Sequence, residues 1–74
     1  MLPEQWGKAV ADVVEQSGSR WTVFIADCDQ GSLTCFARLV KEGEQSKQIK
    51  LSLADFETHE SIKAEIARQL AAFR

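Results

Sequence analysis

The sequence lacks most of the residues and motifs on which active sites and metal centres are built. It contains one histidine, one proline and two cysteines among 74 residues. It has neither a glycine-rich phosphate loop nor the paired-cysteine spacing of a zinc site. His59, the single histidine, lies among acidic residues at the predicted start of a helix, where an exposed side chain is typical. We therefore expect a non-catalytic protein with no cofactor and no metal.

Long apolar runs and a strong charge of one sign are also missing. The longest mostly apolar stretch, residues 21–26, is far shorter than the ~20 residues of a membrane-spanning helix. The chain does not begin with a basic segment followed by an apolar one, so we expect no signal peptide and no membrane association. A net charge of −2 and a pI near 5.3 argue against nucleic acid as a partner. The compartment that we predict is the cytoplasm.

The composition is that of a folded protein. Hydrophobic residues make up 45% of the chain and charged residues 27%, with no low-complexity segment or repeat. Seventy-four residues lie near the lower limit for a single hydrophobic core. We expect one domain over residues 1–74.

Three strand-like segments occupy the middle of the chain. They cover residues 21–28, 33–41 and 47–53, and apolar residues alternate with polar ones along much of their length. Short polar stretches containing Gly31 and Gly43 separate them and have the length of hairpin turns. The pattern predicts a three-stranded antiparallel meander.

The two predicted turns place the same side chains of the middle strand on one face. We centre the first turn on Gln30 and the second on Gly43. A slip of one residue in either hairpin would reverse every side chain, so the agreement predicts the register. The predicted partners are Val23 with Ala37, Ile25 with Cys35, Ala37 with Ile49, Cys35 with Leu51, and Leu33 with Leu53.

The predicted register separates the two cysteines. Cys28 falls opposite Ser32 at the turn, whereas Cys35 pairs with Ile25 and faces the core. A disulfide requires Cβ atoms roughly 4 Å apart, which opposite faces do not allow. We therefore expect two reduced cysteines, as is usual for a cytosolic protein.

Helices are predicted at both ends of the chain. The first covers residues 3–16, with a proline in its first turn and Gly18 in the left-handed conformation after its end. The second covers residues 59–73 and begins after Thr58 as the N-cap, with Arg68 and Arg74 near its C-terminal end, where positive charge is favoured. Their apolar stripes are Leu2, Trp6, Ala9 or Val10, Val13 and Ser17 in the first, and Ile62, Ile66, Leu70 and Phe73 in the second.

The order of elements is α-β-β-β-α, and both helices need an apolar surface to cover. The meander offers one such face, so we predict a two-layer α+β domain with both helices on the same face of the sheet. The other face is then open to solvent.

The open face carries the residues that we predict to bind a partner. The predicted register places Phe24 directly opposite Phe36, with two cations nearby and one further apolar side chain. The predicted partner-binding residues are Phe24, Phe36, Arg38, Val40 and Lys50.

Three interpretations of this face remain open. The aromatic pair can simply stabilise the hairpin, because cross-strand pairs contribute about 0.2–1 kcal/mol. The face can bind protein, either a second copy in a homodimer or a larger partner to which this chain is an adaptor or inhibitor. Pairing along the exposed edge of the first strand is an alternative route to a dimer. The third interpretation is single-stranded or structured nucleic acid, stacked on Phe24 and Phe36 with Arg38 and Lys50 on its phosphates.

Overall fold

The computed structural model describes residues 1–73, which form two helices and a three-stranded sheet. The elements are α1 (Trp6–Gln16), β1 (Thr22–Asp29), β2 (Thr34–Val40), β3 (Lys47–Ser52) and α2 (His59–Ala71), with short 3₁₀ turns at Pro3–Gln5 and Leu53–Asp55. The strands form an antiparallel meander in the order β1-β2-β3. Apolar side chains of both helices and of one face of the sheet share a single core cluster. The predicted α+β fold is confirmed.

Helix α1 forms as its apolar spacing predicts, apart from its two ends. Gly18 has φ +67°, the left-handed conformation expected after the helix. Leu2 is 56% exposed, so its predicted place on the buried stripe is wrong. Leu2 is extended ahead of the 3₁₀ turn, and Ser17 is likewise exposed just beyond the last helical residue. The buried residues of α1 are Trp6, Ala9, Val10, Val13 and Val14.

Helix α2 begins where the sequence predicts and ends two residues earlier. The Thr58 hydroxyl accepts a hydrogen bond from the Ser61 N–H at 3.0 Å, which confirms the N-cap. Phe73 leaves the helix and packs edge-on against Trp21, with ring centroids 5.8 Å apart. Arg74, predicted near the C-terminal end of this helix, lies outside the described residues.

The register of the second hairpin is confirmed. Cys35 lies opposite Leu51 and Ala37 opposite Ile49, and all four are buried under the helices. Gly43 has φ +79° in the connecting turn, a conformation that favours glycine.

The predicted register of the first hairpin is wrong. Val23 pairs with Leu39, two positions further along β2 than predicted. The turn uses the four residues 30–33, which moves the pairing of residues 25–29 three positions along β2, and a bulge reduces the shift to two at Val23. The Asp29 carbonyl accepts a hydrogen bond from the Leu33 N–H at 2.7 Å and closes this longer loop.

A β-bulge at Phe24 then changes which side chains of β1 face the core. Val23 lies opposite Leu39, but the next paired residue is Ile25, opposite Arg38. Because one extra residue reverses the alternation, Ile25 lies on the outer face and is 46% exposed. The predicted place of Ile25 in the core is therefore wrong.

The longer turn also brings the cysteines together. Cys28 lies directly opposite Cys35, with Cα atoms 4.0 Å apart, and the two form a disulfide. The prediction of two reduced cysteines is wrong because it rested on the shorter turn, in which Cys28 paired with Ser32. The disulfide joins β1 to β2 beside the core, where Cys35 is fully buried.

A side chain of α2 covers the outer edge of β3. The Gln69 Oε1 accepts a hydrogen bond from the Lys50 N–H at 3.1 Å, and the Gln69 Nε2 donates to the Lys50 carbonyl at 2.9 Å. Gln69 also donates to the Glu65 carboxylate at 2.8 Å, and Arg68 forms an ion pair with that carboxylate. These contacts occupy backbone groups that would otherwise be free to pair with another strand.

Acid should remove the stabilising contribution of Glu65. Hydrogen bonds from Arg68 and Gln69 lower the pKa of Glu65 from 4.5 to about 2. A carboxyl whose pKa is depressed by folding stabilises the fold above its unfolded-state pKa and loses this effect as the pH falls through its folded-state pKa. We expect Glu65→Gln to lower the urea midpoint clearly at about pH 6 and much less at about pH 2.

The matched control for this comparison is Glu15→Gln, because Glu15 is exposed on α1. If the urea midpoints of wild type and Glu65→Gln differ by the same amount at both pH values, the stabilising role of the ionised Glu65 carboxylate is contradicted.

Candidate functional site

The outer face of the sheet carries all five of the predicted partner-binding residues. Together with Ile25 they form a surface that we call the outer-face patch. Its members come from all three strands, and each lies at an outward position or at the bulge. The outer-face patch consists of Phe24, Ile25, Phe36, Arg38, Val40 and Lys50.

The apolar part of the patch is concentrated at the bulge. Phe24 is 71% exposed, and its neighbour Ile25 is also exposed. In a bulge two residues oppose one on the partner strand, so consecutive side chains can share a face. Val40, 36% exposed, lies near the same end of the sheet, opposite Thr22. The bulge therefore creates an exposed apolar cluster that regular alternation would have divided.

The predicted Phe24–Phe36 pair does not form. Phe36 lies opposite Asp27 on one side and Lys50 on the other, while Phe24 occupies the bulge beside Ile25. Phe36 is half-buried, and among residues 1–73 the ring-to-ring contact is between Trp21 and Phe73 instead. The cause is again the longer turn, which moves β1 along β2. A stacking platform of two adjacent rings is therefore absent from the described face.

Charged side chains lie beside the apolar residues of the patch. Arg38 lies opposite Ile25, and its Nη1 is 3.4 Å from the Ser46 hydroxyl near the second turn. Lys50 and Asp27 flank Phe36 from the two neighbouring strands. The patch thus combines aromatic and aliphatic surface with charges of both signs.

The two edges of the sheet differ in how they are protected. Gln69 occupies the edge of β3 at Lys50. On β1, the Asp27 carboxylate accepts a hydrogen bond from the Cys28 N–H at 2.8 Å, and the bulge at Phe24 interrupts regular pairing. The side-chain contacts on both edges and the bulge in β1 oppose the addition of a further strand. The face of the sheet is therefore favoured over its edges as a binding surface.

An aromatic cleft that the sequence did not predict lies at the end of the molecule where α2 ends. Trp21 and Phe73 line it, and the Lys41 ammonium lies 5.5 Å from the centroid of the Trp21 ring. Arg20 lines the cleft on the same side as Lys41. Trp21 is only 7% exposed, so we attribute to these rings a role in closing the core. The long separation between Trp21 and Phe73 in sequence left no local signal for the contact.

The described residues contain no second arrangement with obvious chemistry. His59 is exposed at the start of α2, and residues 1–73 bring no group of three His, Cys, Asp or Glu side chains together for a metal. Neither described helix has the length and apolar character needed to cross a membrane. Comparison with protein families, curated proteins and solved structures found no match to this chain.

Proposed function

We propose that this chain is a small non-catalytic protein-interaction module, an adaptor or inhibitor of a larger protein, that binds through the outer-face patch. The observation that supports the proposal is the exposure of Phe24 and Ile25 side by side at the bulge. Apolar side chains of this size gain free energy when they are removed from water, by about 25 cal/mol per Å² of buried apolar area. Aromatic residues and arginine are also enriched at the centres of protein interfaces.

The charge pattern favours protein over nucleic acid as the partner. Single-stranded nucleic acid is typically bound by stacked aromatic side chains beside a groove of positive charge. Phe24 and Phe36 are not adjacent, Asp27 lies beside the patch, and the whole chain carries a net charge of −2. Binding of an oligonucleotide with a steep salt dependence would contradict the protein-binding proposal.

Polar substitution of the bulge should strongly weaken partner binding. We expect Phe24→Ser combined with Ile25→Thr to weaken binding at least about 30-fold, because buried aromatic anchors contribute about 2 kcal/mol or more at an interface. Leu2→Ser is the matched control, since Leu2 is also apolar and 56% exposed but lies outside the patch. The measurement is affinity capture from extracts of cells that make the protein, followed by calorimetry with each purified partner.

Circular dichroism establishes that both variants remain folded. A partner that binds the wild type and the Leu2→Ser variant, but not the bulge variant, supports the proposal. A partner with unchanged affinity for the bulge variant would overturn the assignment of the site.

The cytoplasm remains our prediction for the compartment, and the disulfide weighs against it. Cytosolic thiols are generally kept reduced, whereas structural disulfides persist in oxidising compartments. Rapid alkylation of thiols in intact cells, followed by mass measurement, distinguishes the cytoplasm from an oxidising compartment. Alkylated Cys28 and Cys35 support the cytoplasm, and a protected pair indicates an oxidising compartment.

A further inference from the structure

We infer that the outer-face patch also binds a second copy of this chain, face to face, about a twofold axis that runs along β2 past Phe36. This inference rests on the proposed use of the patch for protein binding, and it names one partner. The dimer pairs Asp27 of each copy with Lys50 of the other.

A row of three residues crosses the sheet from β1 to β3. Asp27 on β1 lies opposite Phe36 on β2, and Phe36 lies opposite Lys50 on β3. The row therefore has an acid at one end, an aromatic ring in the middle and a base at the other end. Asp27 and Lys50 are exposed, and no ion pair of either residue occurs among residues 1–73. The Asp27 Oδ1 accepts the hydrogen bond from the Cys28 N–H, so the carboxylate would meet a cation through its second oxygen.

Twofold symmetry converts this row into a self-complementary surface. An axis parallel to β2 places β1 of one copy over β3 of the other, so that Asp27 faces Lys50 twice and the two Phe36 rings meet at the axis. Strands stacked in this way are nearly aligned, as is usual for two packed sheets. An axis across the strands would instead place β1 over β1 and β3 over β3, which brings like charges together. Charge complementarity therefore selects the axis along β2.

The remaining charge on the patch opposes the dimer only weakly. Arg38 lies near the axis, next to the position of the same residue in the other copy. Its guanidinium is directed toward the Ser46 hydroxyl, at 3.4 Å, near the second turn. Because Ser46 immediately precedes β3, Arg38 leans to the β3 side of its own copy, and the twofold axis sends its symmetry mate to the opposite side, which separates the two like charges.

The size of the face limits the affinity. Three strands about 4.8 Å apart and seven residues of β2 give a face of roughly 14 Å by 23 Å. The two faces together bury roughly 640 Å², which is below the range of standard specific interfaces, so the dimer must be weak and must depend on its charge pairs. We therefore expect a concentration-dependent dimer with a dissociation constant on the order of 10⁻⁴ M.

Charge exchange across the axis tests the inference. Sedimentation equilibrium of the full chain, over a range of concentrations, measures the dimer dissociation constant. Asp27→Lys alone and Lys50→Asp alone should each raise this constant about tenfold, because each turns two attractive pairs into repulsive ones. The combined exchange restores the opposite-charge pairs and should return the constant to near its wild-type value. Glu15→Lys, on the helical layer, is the control for a change in net charge and should have no effect.

The outcomes separate this inference from the proposed function. A wild-type monomer at all concentrations overturns the dimer, as does a dimer that neither single variant weakens. If the wild type is monomeric but the bulge variant still loses a different partner, the dimer is wrong and the proposed function stands. If neither the charge variants nor the bulge variant alters any association, the dimer and the proposed function are both wrong.

Discussion

Replacement of Trp6 by alanine is expected to lower the melting temperature of the protein by about 12 °C or more. Trp6 is fully buried on α1, and its Nε1 donates a hydrogen bond of 2.8 Å to the Phe36 carbonyl of the central strand. Loss of a buried tryptophan costs about 3–5 kcal/mol. The total stability expected for 74 residues is only about 4–11 kcal/mol. One substitution would therefore remove a large part of the free energy of unfolding.

Urea denaturation of three variants separates the contributions of this side chain. Trp6→Phe keeps most of the apolar volume but leaves the Phe36 carbonyl without this donor, so a smaller loss of about 1–3 kcal/mol is expected. Leu2→Ala, an exposed residue near the same end of the molecule, should change stability by less than about 0.5 kcal/mol. Equal stabilities of wild type and Trp6→Ala would contradict the position of this ring in the core.

Reduction of the Cys28–Cys35 disulfide should produce the second large loss of stability. The bond joins residues seven apart, and closure of a loop of this size stabilises a fold by about 2–3 kcal/mol through the entropy of the unfolded chain. For a domain of this length, such a loss lowers the melting temperature by about 10 °C or more. Thermal unfolding with and without a thiol reductant measures the difference.

The Cys28→Ala, Cys35→Ala double variant supplies the control for the reductant itself. Its melting temperature should not respond to reductant, because no disulfide remains. Intact mass after alkylation, without prior reduction, should show no reaction at either cysteine of the wild type. Reaction at both cysteines of the folded, unreduced protein would contradict the disulfide.

The signals that located the helices are local, and this is why they could be read from the sequence. The Thr58 cap and the left-handed Gly18 each depend on a few neighbouring residues. The spacing of Ile62, Ile66 and Leu70 reflects the helical repeat alone. The error at Leu2 arose because a periodic pattern does not reveal where the first helical turn is replaced by a 3₁₀ turn.

The first hairpin shows where alternation alone is insufficient. With the predicted register, Asp27 and Asp29 fall on the same side of β1 as Val23 and therefore toward the core. That conflict is a signal for the bulge, since an inserted residue between Val23 and Asp27 sends both carboxylates outward and Cys28 inward. The conflict indicates that the alternation must change somewhere along β1, but it does not specify the position.

The sequence by itself determined the order of the elements, the register of the second hairpin and the open face that carries Arg38, Val40 and Lys50. Turn length and bulge position in the first hairpin were decided only by the tertiary structure. The free energy of each alternative turn and bulge depends on how β1 packs beneath α1 and beside β2, and not on any local sequence pattern. For this reason the disulfide, the exposure of Ile25 and the row from Asp27 through Phe36 to Lys50 became visible only in the folded molecule.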